Sequence, residues 1–112
     1  MKIGIVGLGA VGAAVFEGLQ SYHEVYGYDI DGRGTWDEIL RTDVVFICVP
    51  TNGLSGGKLS SEIVEGIIAR LSDSDFIGLA IIKSTLQPGA MTHLHSSYPY
   101  IRMVYMPEFL RE

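Results

Sequence analysis

Residues 2–12 read KIGIVGLGAVG and contain the strongest indication of the fold in this sequence. An apolar run typical of a buried strand ends at Gly7 and leads into the pattern Gly-x-Gly-x-x-Gly, with glycines at positions 7, 9 and 12. Apolar residues then recur at positions 11, 15 and 19, which predicts one face of a helix over Ala10–Gln20. A glycine-rich turn between a strand and a helix is the context in which this pattern indicates dinucleotide binding.

The three glycines have separate predicted tasks. Gly7 makes the tight turn, Gly9 lets backbone N–H groups approach a pyrophosphate without a Cβ in the way, and Gly12 lets the helix pack close to the strand. The pyrophosphate would then lie at the helix N-terminus beside Ala10 and Val11, where N–H groups and the helix dipole favour an anion. The competing interpretation is a tight strand-to-helix turn with no ligand.

An acidic residue follows near the end of the next predicted strand, residues 24–30. Asp29 lies seventeen residues after Gly12, where a carboxylate accepts hydrogen bonds from both ribose hydroxyls and repels a 2′-phosphate. The expected cofactor is therefore NAD rather than NADP. Arg33 lies close enough to receive a 2′-phosphate, and Asp31 is either an alternative ribose ligand or a solvated turn residue. The competing interpretation of Asp29 is an ordinary turn residue.

The rest of the chain alternates strands and helices. The further strands are predicted at 43–49, 76–83 and 101–106. The helices between them are signalled by a Thr35/Glu38 capping box, by Ser60 or Ser61 as an N-cap, and by Pro88 as the first position of a helix through Leu94. The core face of the second of these helices is predicted as Ile63, Val64, Ile67, Ile68 and Leu71.

Strands that are apolar throughout indicate a parallel sheet that is buried on both faces. We therefore predict an α/β fold, a Rossmann-like doubly wound parallel sheet with five strands in chain order 2-1-3-4-5. The connection between the second and third strands is short, so the strand usually third in such domains is expected to be missing. The edge exposed by that loss predicts self-association into a homo-oligomer.

Composition excludes several classes of protein. The length of 112 residues, with 47% hydrophobic and 19% charged residues, fits one domain spanning 1–112. A net charge of −5 excludes an ordinary nucleic-acid binder, and no apolar run reaches the ~18 residues of a membrane helix. The single cysteine, Cys48, excludes an internal disulfide or a cysteine-based zinc site and fits a cytoplasmic location. No metal site is predicted, because His93 and His95 would diverge on a helix.

Polar residues also follow the later strands, at the sheet edge where ligands of α/β folds bind. Val49, Pro50 and Thr51 close the third strand, and Ser84 and Thr85 close the fourth. The competing interpretation of each group is a plain turn. A third pair of polar residues lies after the fifth strand: Glu108 and Glu112 would share one helical face and could do acid–base chemistry, although a charged tail is more often solvated. Cys48 is interpreted as inert packing.

The chain resembles the N-terminal NAD-binding domain of the UDP-glucose/GDP-mannose 6-dehydrogenase family. The likeness is carried in family order by KIGIVGLGAVG, GYDID at 27–31, DVVFICVPT at 43–51, KSTLQPG at 83–89 and MPEFLRE at 106–112. The last stretch discriminates best, because a generic Rossmann domain shares the glycines but not PEFLRE. Members of this family oxidise the C6 alcohol of a sugar nucleotide to a carboxylate, using two NAD and a cysteine-linked thiohemiacetal.

The resemblance implies a role for each site residue. Asp29 would bind the adenosine ribose, and Val49, Pro50 and Thr51 would lie along the cofactor. Ser84 and Thr85 are also expected to contact the cofactor, because they close the fourth strand at the ligand-binding edge. The implied catalytic residues are Thr85, which helps order the catalytic water, Glu108, which serves acid–base chemistry, and Glu112, near substrate and cofactor.

Two departures from the family limit this assignment. The segment 31–43 is short, so part of the adenine-side wall is expected to be absent. The family's nucleophilic cysteine, catalytic lysine, sugar-nucleotide pocket and dimerisation helix are expected in later domains, outside these 112 residues. Two hypotheses follow: an oxidoreductase half completed by a substrate domain, or a stand-alone nucleotide-binding module without catalysis. The intact glycine turn and Asp29 argue against a non-binding relic.

Overall fold

The computed structural model describes residues 1–49 and 61–107. Within these residues, five parallel strands form one sheet in the order β2-β1-β3-β4-β5, which confirms the predicted fold class and strand order. The strands are β1 Lys2–Val6, β2 Glu24–Tyr28, β3 Val44–Ile47, β4 Leu79–Ile82 and β5 Arg102–Tyr105. All except β1 are shorter than predicted, because apolar residues continue into the connections. Ile30, for example, is 92% exposed beyond the end of β2.

In the described part of the chain, four helices connect the strands: α1 Ala10–Leu19, α2 Trp36–Leu40, α3 Glu62–Asp73 and α4 Ala90–Ser97. The predicted start of α4 was wrong. Pro88 lies before the helix, because Gly89 is its N-cap in a left-handed conformation with φ 84°, and the helix runs on past Leu94 to Ser97.

The core face of α3 also differs from the prediction at one position. Val64, Ile68 and Leu71 are fully buried, whereas Ile63 is 51% exposed. Successive helical residues are rotated by about 100°, so a helix that buries Val64 turns Ile63 toward solvent. Ser61 is the N-cap, as the sequence allowed, but its side chain makes no capping hydrogen bond.

The main core lies between one face of the sheet and the three helices α2, α3 and α4. Strand residues such as Val6, Ile47 and Ile82 pack there with Ile39 of α2 and Leu94 of α4. Trp36 and Leu40 of α2 are half-buried against this core.

The second face of the sheet is covered less evenly. Ile3 and Ile5 are buried there, and a Cβ on Gly27 would lie 3.0 Å from Leu8 and 3.3 Å from Phe16, which places α1 over β1 and β2. Along the register from Ile5, Phe46 and Ile81 are half-buried and Val104 is 40% exposed. Within the described residues, burial on this face therefore declines from β1 toward β5.

The short connection between β2 and β3 folds back on β2. The capping box of α2 is present, since the Glu38 N–H donates to Thr35 Oγ1 and the Thr35 N–H donates to the Glu38 carboxylate. A Cβ on Gly34, which has φ 73°, would lie 1.8 Å from the Gly27 carbonyl oxygen. Gly34 thus lies against the outer side of β2, and part of the edge that the sequence predicted to be exposed is covered.

Two features are absent from the described residues, a membrane-spanning helix and a metal-binding cluster. None of their helices is long and apolar enough to cross a membrane. Within residues 1–49 and 61–107, no three His, Cys, Asp or Glu side chains form a group that could hold a metal ion. His93 instead contacts the carboxylate of Glu65 at 2.8 Å, which links α4 to α3.

Candidate functional site

The turn after β1 lies at the carboxyl edge of the sheet, between the ends of β2 and β3. The Gly7 N–H donates to the Tyr28 carbonyl at 2.8 Å, and the Cys48 N–H donates to the Val6 carbonyl at 2.8 Å. Because β1 pairs with β2 on one side and β3 on the other, the direction of winding reverses here. Such a switch point opens the crevice in which open α/β sheets bind ligands.

Gly7 and Gly12 are required by the fold itself. Gly7 has φ 94°, and a Cβ there would lie 2.8 Å from the carbonyl group of Cys48. A Cβ on Gly12 would lie 1.8 Å from the Gly7 carbonyl oxygen. These contacts account for a tight turn and a closely packed helix without any ligand.

Gly9 differs from its two neighbours in the motif. A Cβ there would meet no atom of residues 1–49 and 61–107 within 4 Å, and its φ of −73° is open to any residue. Gly9 is exposed and is the N-cap of α1, a position at which serine, aspartate or asparagine would stabilise the helix more. Nothing in the described chain therefore requires glycine at this position.

The space beside Gly9 has the electrostatics of an anion site. The first backbone N–H groups of α1, including those of Ala10 and Val11, lack acceptors within the helix. The first turn of α1 contains no acidic residue. The helix dipole adds partial positive charge at the same end. A phosphate group fits this environment, and the missing Cβ at Gly9 leaves it room to approach the backbone.

Asp29 lies directly against the glycine-rich turn, beside the end of β2. Its Oδ2 accepts the Leu8 N–H at 2.8 Å, and its Oδ1 accepts the Asp31 N–H at 3.2 Å. The side chain is 20% exposed, so part of it remains accessible to solvent. The structure thus brings together the predicted phosphate turn and the predicted ribose ligand.

Asp31 and Arg33 form an ion pair that the sequence interpretation did not include. Arg33 Nη2 lies 2.8 Å from Asp31 Oδ2, and Arg33 Nε donates to the same oxygen at 2.9 Å. The hydrogen bond from the Arg33 side chain, with a weaker one from its backbone, lowers the pKa of Asp31, and the pKa of Arg33 is raised in return. Asp31 is exposed, but it is an ion-paired residue rather than a merely solvated one.

The ends of β3 and β4 are joined by Ser84. This residue is 7% exposed, and its Oγ donates to the Val49 carbonyl at 2.7 Å. Thr85 beside it is half-buried at the same edge. The structure brings Val49, Ser84 and Thr85 together, while their contact with a cofactor stays a prediction.

Tyr105 is a residue of this edge that the sequence analysis missed. Its hydroxyl accepts the Leu86 N–H at 2.8 Å, which holds the segment after β4 against the last residue of β5. The available signal was a tyrosine within the predicted strand, just before Met106 and Pro107.

Four predicted site residues lie outside the described residues: Pro50, Thr51, Glu108 and Glu112. Their assignments stay predictions from the sequence. Cys48 is half-buried and immediately follows β3, whereas the predicted strand 43–49 placed it inside the strand, one residue before the end.

Three solved structures of nucleotide-sugar dehydrogenases resemble the chain over almost its whole length. GDP-mannose dehydrogenase from Pseudomonas aeruginosa is 25% identical with a TM-score of 0.80, and the match covers 100% of this chain and 37% of that one. UDP-glucose dehydrogenase from Pyrobaculum islandicum is 22% identical with a TM-score of 0.77, covering 99% and 36%. UDP-D-ManNAc dehydrogenase from Pyrococcus horikoshii is 20% identical with a TM-score of 0.80, covering 99% and 37%.

These likenesses confirm the resemblance on which the sequence interpretation rested. The first extends to sequence as well as fold, and the other two show the fold. The chain spans between 36% and 37% of the length of these proteins. No protein-family model and no curated protein matches the sequence.

Proposed function

We propose that the chain is the NAD-binding domain of a nucleotide-sugar 6-dehydrogenase of the UDP-glucose or GDP-mannose type. The observation that carries this proposal is Gly9, whose missing side chain serves no contact of the described chain and leaves a cradle at the N-terminus of α1. The likeness to GDP-mannose dehydrogenase supports the reaction class. The substrate, a sugar nucleotide, is part of the same proposal.

The residues present fit NAD, with separate groups suited to its pyrophosphate and to its adenosine ribose. The N–H groups of Ala10 and Val11 would hold the pyrophosphate, and the Asp29 carboxylate would accept the hydroxyls of the adenosine ribose. NAD supplies a hydride acceptor when bound. In this proposal Val49, Pro50, Thr51 and Ser84 line the path toward the fourth strand.

The catalytic part of the proposal concerns the ends of β4 and β5. Thr85 would orient water near the reacting carbon, because a threonine hydroxyl can both donate and accept a hydrogen bond. Glu108 would move a proton, and Glu112 would lie near substrate and cofactor. A cysteine nucleophile and a lysine are proposed to come from a substrate domain, so oxidation of the sugar needs that further part. A cytoplasmic location and a homo-oligomer stay predictions.

The test is calorimetric titration of the purified chain with NAD, with UDP-glucose and GDP-mannose as controls. We expect saturable binding of NAD and none of either sugar nucleotide, because the proposed sugar pocket belongs to the substrate domain. An absence of NAD binding at millimolar concentration would contradict the proposal.

Two glycine variants on the same helix sharpen this test. Gly9→Ser should abolish NAD binding, since its side chain fills the cradle, while thermal stability stays equal or rises because serine is a good N-cap. Gly18→Ala is the matched control, because a Cβ there also meets no described atom within 4 Å but lies at the other end of α1. It should bind NAD as the parent chain does. Equal NAD binding by Gly9→Ser would place the phosphate site elsewhere.

A further inference from the structure

The segment after β2 brings an arginine back beside Asp29. The Asp29 N–H donates to the Arg33 carbonyl at 3.0 Å, and the Gly32 N–H donates to the Asp29 carbonyl at 3.2 Å. Gly32 has φ 103°, a conformation that permits this tight reversal. Arg33 therefore emerges directly opposite the carboxylate proposed to bind ribose.

The guanidinium group of Arg33 lies within reach of that carboxylate but is held by another. Its Nη2 atom is 3.7 Å from Asp29 Oδ2, and the same atom is 2.8 Å from Asp31 Oδ2. Arg33 Nε also donates to both Asp31 oxygens, at 3.1 and 2.9 Å. The hydrogen-bonding fork of Arg33 is thus directed at Asp31.

The charges of this turn oppose a phosphate on the ribose. One guanidinium and two carboxylates give the group of Asp29, Asp31 and Arg33 a net charge of −1, and a 2′-phosphate would bring close to two further negative charges. An arginine beside the ribose is the usual means by which this fold accepts a 2′-phosphate. Here such an arginine is present, but its Nε and Nη2 atoms are already paired with Asp31.

We propose that Asp31 is a specificity-determining residue, which excludes NADP by occupying Arg33, a latent ligand for a 2′-phosphate. The inference rests on the proposed binding of the adenosine ribose at Asp29. It differs from the role of Asp29 itself, because Asp31 acts through the arginine and not through the ribose. Neutralising Asp31 leaves Asp29 in place and frees the guanidinium to turn toward the added phosphate.

The experiment measures NAD and NADP dissociation constants by calorimetry at a fixed, low ionic strength. The parent chain is compared with Asp31→Asn, Arg33→Met and the double variant. Asp31→Asn should tighten NADP binding by about tenfold, the size of one charge interaction near a protein surface, and leave NAD within about twofold. The gain should be lost in the double variant and should shrink as salt is added.

Each outcome decides between the two proposals. Unchanged NADP binding in Asp31→Asn, with NAD binding intact, overturns the role of Asp31 and leaves the proposed function standing. A gain that persists without Arg33 also overturns it, because loss of a repelling charge would then suffice. If neither the parent chain nor Asp31→Asn binds NAD, the proposed function fails and this inference fails with it.

Discussion

Asp29 serves both the fold and the proposed ligand. Its Oδ2 accepts the Leu8 N–H at 2.8 Å, so the carboxylate fixes the glycine-rich turn before any ligand arrives. The Asp29 side chain is 20% exposed at the edge where the ribose is proposed to bind. Stability and binding are therefore coupled at this residue, and a single truncation changes both.

Two substitutions at Asp29 separate these effects. Asp29→Ala should lower the free energy of unfolding by about 1–3 kcal/mol, because the Leu8 N–H loses its acceptor, and should weaken NAD binding by a similar amount. Asp29→Asn keeps an oxygen for Leu8, so its stability should stay closer to the parent while NAD binding still falls. Thermal unfolding and calorimetry measure the two quantities.

The matched control for these variants is Asp73→Asn. It removes the same charge from an exposed residue at the end of α3, which immediately precedes the turn into β4. NAD binding should not change in this variant. An unaltered NAD dissociation constant in Asp29→Ala would contradict the ribose assignment.

The glycine motif could be predicted from the sequence because the contacts that require glycine are local. Gly7 and Gly12 are fixed by contacts between residues close to the turn and the adjoining strand, and their spacing along the chain encodes those contacts. The Asp31–Arg33 ion pair could not be predicted from the sequence in the same way. Whether two nearby charged residues pair depends on how the backbone reverses between them, which here is set by a left-handed Gly32.

At the scale of elements, α2 shows how much a cap contributes to a short helix. The helix has five residues, Trp36–Leu40, and helices of this length are unstable without caps or packing. Thr35 and Glu38 satisfy each other's backbone N–H groups, while Ile39 is fully buried in the main core. This helix also ends the segment that returns along the outer side of β2.

Thr35→Ala should therefore lower the free energy of unfolding by about 1 kcal/mol, which corresponds to roughly 4–8 °C in melting temperature for a domain of this size. Glu38→Gln should preserve stability, since glutamine can complete the capping box. Thr92→Ala is the control, because Thr92 is an exposed residue inside α4 where alanine favours the helix. Equal melting temperatures for Thr35→Ala and Thr92→Ala would show that the cap contributes nothing.

Elements were predicted better than their ends and faces. The capping box was recognised because both partners lie within four residues, and the strands because their apolar runs are continuous. The exposed Ile63 and the late start of α4 were missed for a different reason. Which apolar residue of a helix meets the sheet, and whether Gly89 or Pro88 precedes the first turn, depend on packing between elements.

In the molecule as a whole, the two faces of the sheet differ in how much of each is packed against helices. The face under α2, α3 and α4 holds the main core, whereas the other is packed tightly only beneath α1, with Val104 40% exposed at the far end. Apolar burial is the main favourable term in folding. In the described part of the chain, burial on the second face therefore contributes less to the free energy of unfolding than burial on the first. Ligand binding should increase that free energy by a measurable amount.

The glycine turn, Asp29 and the end of β3 are contributed by separate parts of the fold, so NAD should bind the native chain and not the unfolded one. At a concentration one hundred times its dissociation constant, NAD should raise the free energy of unfolding by about 2.7 kcal/mol and the melting temperature by roughly 10–20 °C. Without NAD, Gly18→Ala should have a free energy of unfolding about 0.5–1 kcal/mol above that of the parent chain, and therefore a higher melting temperature. NAD should raise its melting temperature by the same amount as in the parent chain. Gly9→Ser should fold, but NAD should not raise its melting temperature. A full shift in Gly9→Ser would mean that NAD stabilises the molecule from a site other than the N-terminus of α1.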